Sequence, residues 1–173
     1  MRRNIAPTER NLGVSMHEIF DCAFATRRLL EEAWSDETAF QGIELTPGDV
    51  ASRGQCGVSS LWICRQLSEQ GLDAMYVEGG MPVNSWADEH VWAEVIVGGR
   101  PIIIDLASDQ YSNPLGSRVH VGEYSDETFG RYEPSERFDP NNIPRKKLLA
   151  RYAILESNIS NLPRRKRRIP LLA

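Results

Sequence analysis

The sequence predicts an α+β protein in which N-terminal helices pack on a small antiparallel sheet. Three observations lead there. Ser15 followed by Glu18 is a capping-box pattern at the head of an amphipathic stretch. Cys56 opens a second helix-periodic segment that ends at Gly71. Beyond it, apolar residues alternate on either side of Gly98-Gly99, the pattern of a hairpin.

At 173 residues the chain suits one domain with a proper core. Its 41% hydrophobic and 25% charged residues are globular proportions. No apolar run approaches the ~20 residues that a membrane helix needs. The start Met1-Arg2-Arg3-Asn4 is positive, but Glu9, Arg10 and His17 interrupt any signal-like apolar stretch. No secretory signal is predicted, and a cytoplasmic setting is the expectation. Cys22, Cys56 and Cys64 cannot all pair, which suits a reducing compartment better than a disulfide scaffold. The net charge of −4 includes the basic run Arg164-Arg165-Lys166-Arg167-Arg168; without those five charges the remainder carries −9. Such a run can meet an acidic partner, but a solvated end is the commoner reading. An acidic body speaks against a nucleic-acid-binding domain.

In chain order, residues 1–14 read as a flexible arm, 15–156 as the folded domain, and 157–173 as a basic, disordered tail. Ile19, Cys22, Ala23, Leu29, Leu30 and Trp34 recur at helical spacing, giving a helix over 16–34 with Cys22 as buried filler. Thr46-Pro47-Gly48-Asp49 is turn chemistry. In the helix over 56–70, Val58, Leu61, Trp62 and Cys64 to Leu67 form the inward face. Residues 74–78 read as a strand ended by Gly79-Gly80, and 81–89 as a loop. Strands follow over 90–97 and 100–106, with a short one at 118–121. Residues 111–116 read as loop. The Pro-, Gly- and acid-rich segment 122–144 reads as irregular surface, and 146–155 as either strand or helix.

The chemistry-bearing residues are a cysteine, a histidine and an aspartate. A thiol at a helix N-terminus feels the positive end of the helix dipole, which favours the thiolate. Acyl transfer by cysteine also needs a base and a group that orients the base. His90 is the only one of the three histidines in a strand-like run. With Gly98-Gly99 as the turn, Val97 pairs near Arg100 and Asp105 lands about opposite Trp92, a residue or two from His90. No CxxC or HxxxH spacing supports a zinc site, and the chemistry calls for no cofactor.

Gly54-Gln55-Cys56, His90-Val91-Trp92-Ala93-Glu94 and Ile104-Asp105-Leu106 together resemble the signature of the transglutaminase-like cysteine enzymes, over about a third of the chain. The resemblance implies a papain-like core, with Cys56 as nucleophile, His90 as general acid and base, and Asp105 as the orienting group. It implies a protein or peptide substrate and a reaction among proteolysis, glutamine deamidation and amine transfer. In this family an upstream side chain often serves the oxyanion; Gln41, Gln55 and Trp34 are the candidates. Trp86 and Trp92 are candidates for shaping a pocket. Animal transglutaminases have Trp after the motif cysteine, where this chain has Gly57, and the chain is too short for their β-domains and calcium sites. It looks more like the compact bacterial members. Arylamine N-acetyltransferases share the Cys-His-Asp order and the Arg-Gly start but are longer. A binding module that kept the fold without the activity is the competing class.

Overall fold

The computed structural model describes residues 13–42, 47–83, 86–110, 117–124 and 132–166, with the side chains of 42, 82–83 and 86–88 outside the description. Three helices and a five-stranded antiparallel sheet make an α+β fold. The elements run α1 (Met16–Glu31), α2 (Cys56–Glu69), β1 (Ala74–Val83), β2 (Trp86–Val97), β3 (Arg100–Asp105), β4 (His120–Glu123), β5 (Glu133–Phe138) and α3 (Lys146–Asn161). The strand order is β4-β3-β2-β1-β5.

Ser15 caps α1 with a full capping box: its side chain accepts from the Glu18 backbone, and the Glu18 carboxylate accepts from the Ser15 backbone at 2.8 Å. The helix stops at Glu31 rather than at residue 34. Ala33 and Trp34 still bond back to Leu30, so the chain leaves in a tighter last turn. Ile19, Cys22, Ala23, Leu29 and Leu30 are buried, as their spacing predicts.

Alternation along the strands separates two apolar clusters. Tyr76, Ala93, Val95, Ile102 and Ile104 pack with the helices in the larger core. Val77, Trp92, Ile103, Met81 and Tyr132 form a smaller cluster on the opposite set of strand positions. The β2–β3 hairpin has the register read from the turn, with Val97 opposite Arg100 and Ala93 opposite Ile104.

Three sequence-based boundaries are corrected. Gly79-Gly80 do not end β1, which runs on to Val83 and pairs with β2 as far as Trp86. A Cβ on Gly79 would sit 2.3 Å from the Glu133 carbonyl oxygen and 2.5 Å from the Trp92 ring. The glycine therefore admits close approach of β5, where the register also shifts. The segment 122–144 is not wholly irregular, because it holds the end of β4 and all of β5. Residues 146–155 are helical, and α3 continues to Asn161, past the expected start of disorder. Leu148, Tyr152 and Leu155 are buried, Ile159 and Leu162 pack against the same core, and Asn158 donates to the Ala33 carbonyl at 2.8 Å. A short 3-10 turn, Arg164–Lys166, follows, and Lys166 pairs with Glu32 on the turn after α1. The arm residues 1–12, the loop 111–116, and Arg167 and Arg168 lie outside the described residues.

Candidate active site

Cys56 is the first residue of α2 and is half-buried. Gly54, at φ 74°, takes the left-handed turn that delivers the chain to it. The approach to the helix is clamped from several sides. The Phe40 backbone donates to the Gly54 carbonyl at 2.7 Å. Gln55 is buried; its side-chain oxygen accepts from the Thr38 hydroxyl at 2.8 Å and its amide donates to the Ser35 carbonyl at 3.0 Å. The Ser52 hydroxyl donates to Asp109, and the Gln110 amide to the Ser52 carbonyl. Asp109 is in turn held by both terminal nitrogens of the buried Arg27. No side chain caps α2, so its first amide N–H groups keep their donor capacity.

His90 comes from β2, and the Ser60 hydroxyl on α2 donates to the neighbouring Val91 carbonyl at 3.2 Å. The His90 ring is buried, and its Nε2 lies 2.7 Å from Asp105 Oδ2. The Cys56 thiol lies near enough to the same imidazole to influence its charge. With Nε2 taken by Asp105, Nδ1 is the ring nitrogen left for proton exchange with a thiol. Burial works against a charged His90, but the Asp105 carboxylate and its hydrogen bond, with a smaller contribution from Cys56, outweigh it and push its pKa up to about 10.

Asp105 is fully buried at the end of β3. Its Oδ1 accepts from the Ala107 backbone at 2.9 Å, and its Oδ2 also accepts from the Tyr132 hydroxyl at 2.8 Å. Burial alone would raise its pKa. The opposing charge of His90 and these hydrogen bonds hold it below the usual carboxylate range. Tyr132 is itself fixed by rings. His120, cross-strand from Asp105, stacks on it at 5.4 Å, and Trp92 meets it edge-on at 5.0 Å.

The other sequence-derived candidates fall in different places. Trp92 is fully buried and so is no pocket wall; its Nε1 donates to the Tyr124 hydroxyl at 2.9 Å, which donates to Glu94 at 2.6 Å. Arg137 closes this network on Glu94 at 2.9 Å. Trp34 donates to the Ser59 hydroxyl at 3.1 Å and lies under Arg27. Among the oxyanion candidates, Trp34 therefore has its one donor engaged and the buried Gln55 amide donates to Ser35. Gln41 is exposed, sits in the left-handed region at φ 57°, and has no side-chain hydrogen bond among the described residues. The side chain of Trp86 lies outside the described residues. Cys22 and Cys64 are buried, and burial raises both thiol pKa values.

Sequence reasoning missed Tyr132, Arg27 and Asp109. Tyr132 lies in a segment whose composition reads as loop. Arg27 and Asp109 are ordinary surface types whose partners are 82 residues apart in the chain. Among the described residues no cluster of His, Cys, Asp and Glu could hold a metal ion, and no helix is long and apolar enough to cross a membrane. No family model, curated protein or solved structure matches the chain.

Proposed function

We propose that the chain is a cysteine-dependent amide hydrolase or acyltransferase of transglutaminase-like, papain-like type, with Cys56 as nucleophile, His90 as general acid and base, and Asp105 as the orienting residue. The observation that carries the reading is one buried imidazole, fixed by Asp105 at 2.7 Å and within electrostatic influence of a thiol at a helix start.

In the reaction Cys56 attacks as the thiolate, with its proton already held on the His90 imidazolium, and the sulfur bonds to an amide carbonyl carbon. The carbonyl π electrons move onto oxygen, where the Cys56 backbone N–H and the Gln41 amide are the donors of choice. As the carbonyl re-forms, the C–N bond breaks and His90 gives its proton to the departing nitrogen. The resulting thioester then meets water or an amine. His90 takes the acceptor's proton as the C–S bond breaks, which restores the thiolate and the imidazolium.

The test is incubation with a casein substrate, with and without a labelled primary amine. Ammonia, incorporated label and peptide fragments are each measured. Turnover in one of these channels, abolished in Cys56→Ala and lowered roughly 10²–10⁴-fold in His90→Ala, supports the reading. Equal turnover in the Cys56→Ala protein sinks it. Gln41→Ala is expected to lower kcat by roughly 10²-fold while leaving iodoacetamide labelling of Cys56 unchanged. Equal losses in both measurements would instead mean a displaced loop.

A further inference from the structure

Gly57 follows the candidate nucleophile, and the space a side chain would fill there is ringed by three residues. A Cβ on Gly57 would lie 3.2 Å from Leu148 Cδ1, 3.4 Å from the Tyr76 hydroxyl and 3.8 Å from Arg151 Nη2. Tyr76 comes from β1, and Leu148 and Arg151 from α3. A bulky residue at position 57 would displace all three.

Arg151 is a half-buried cation with no carboxylate partner among the described residues. Its Nη1 donates to the Thr38 carbonyl at 3.3 Å, and its guanidinium lies 5.5 Å from the centre of the exposed Phe40 ring. Nη2 and Nε have no hydrogen-bond acceptor among the described residues. The Tyr76 side chain is buried, 2% exposed, yet its hydroxyl also has no hydrogen-bond partner among them. Arg27 is paired with Asp109 and Glu31, Arg137 with Glu94, and Arg145 with Glu78, while the half-buried Arg65 stacks on Tyr152 and donates to the Pro140 carbonyl. Leaving a guanidinium fork half-desolvated without an anion is costly unless an anion comes to it. Burial lowers the pKa of Arg151, and the opposing influences are Tyr76 and Cys56, so the cation lies within electrostatic range of the thiol.

We propose that Arg151 and Tyr76 form an anion subsite beside Cys56, which selects amide substrates carrying a carboxylate close to the carbonyl attacked. The proposal rests on Cys56 being the nucleophile. Arg151 supplies a planar pair of donors that matches a carboxylate, the Tyr76 hydroxyl supplies a third, and Phe40 covers the apolar edge. Gly57, having no side chain, leaves both groups in place beside the start of α2.

Two alkylating reagents of equal size test this. Iodoacetate and iodoacetamide both transfer a CH2 group to the Cys56 sulfur with loss of iodide, but only the first is an anion. The rate ratio, iodoacetate over iodoacetamide, is measured for Cys56 and for glutathione. The subsite predicts a ratio for Cys56 about tenfold above that of glutathione, falling toward it at 1 M salt. Arg151→Met removes most of the excess and Arg151→Lys keeps part of it. The excess that survives in Arg151→Met reports the His90 charge alone. Rapid labelling by iodoacetamide with a ratio unchanged in Arg151→Met overturns the subsite and leaves the triad standing. A Cys56 that reacts with both reagents no faster than glutathione overturns both. If Arg151→Met does not fold, Arg151→Gln takes its place, and a ratio equal to that of the unmodified protein overturns the proposal. Acetyl-triglycine as free acid, its amide, and an acetyl-Gly-Asp-Gly amide are then used to protect Cys56 from iodoacetamide. Protection by the free acid assigns the subsite to a chain terminus, and protection by the internal Asp assigns it to a side chain. Protection by none of them overturns the substrate class.

Discussion

Asp105 accepts hydrogen bonds from His90, Tyr132 and the Ala107 backbone while fully removed from water. A carboxylate so placed is stable only while His90 stays charged, and the reverse holds too. The signs follow from the two pKa directions. His90 is raised from an ordinary 6.5 to about 10, so its contribution to stability is whole below 6.5 and is lost as pH rises through about 10. Asp105 is lowered from an ordinary 3.8, so its contribution is present above that value and is lost as pH falls through the depressed one. The melting temperature of the wild type, relative to that of His90→Gln, should decline between pH 7 and pH 10.5; a constant difference across that range would contradict the ion pair. Asp105→Asn keeps the shape and removes the charge. It is expected to lower amide turnover by on the order of 10²-fold or more, and to slow iodoacetamide labelling of Cys56 at pH 7, measured by mass spectrometry.

At the scale of elements, the two misread segments fail for different reasons. In α3 the apolar residues Leu148, Tyr152, Leu155, Ile159 and Leu162 recur at spacings of four and three, so the helix is written in the chain. For β5 no comparable signal exists: Glu133, Ser135 and Glu136 are exposed, and the strand is held through its backbone pairing with β1. That pairing depends on Gly79. Gly79→Ala forces a methyl group into the Glu133 carbonyl and the Trp92 ring. The expected cost is about 1–3 kcal/mol, read from the urea midpoint. Because Tyr132 immediately precedes β5, the variant should also lose the Tyr132 support of Asp105 and label more slowly at Cys56.

For the whole molecule, Arg27 is the tie between α1 and the loops around the site. It donates to the Leu106 and Arg118 carbonyls and pairs with Glu31 and Asp109, and Asp109 holds Ser52 four residues before Cys56. Arg27→Met leaves Asp109 without its cation and the Leu106 and Arg118 carbonyls without the Arg27 donor. It is expected to destabilise the fold by roughly 3–5 kcal/mol in denaturant titration. Arg27→Lys should recover only part, because one ammonium cannot reproduce the forked geometry. The same loss should slacken the approach to Cys56 and slow its alkylation under native conditions. Stability lost with alkylation unchanged would separate the tie from the site.

What the chain determines by itself is whatever local periodicity and turn chemistry encode. The Ser15–Glu18 cap, the α2 helix with Cys56 at its start, and the Gly98-Gly99 hairpin with its register follow from short-range patterns. That register already brings His90 and Asp105 near one another, because strand period and turn length leave little choice. Only the tertiary structure decides what surrounds them. Tyr132 reaches Asp105 from 27 residues away, Arg27 reaches Asp109 from 82, and Arg151 comes to the start of α2 from the last helix. Such contacts are set by how the elements pack rather than by any spacing along the chain, so no local pattern carries them.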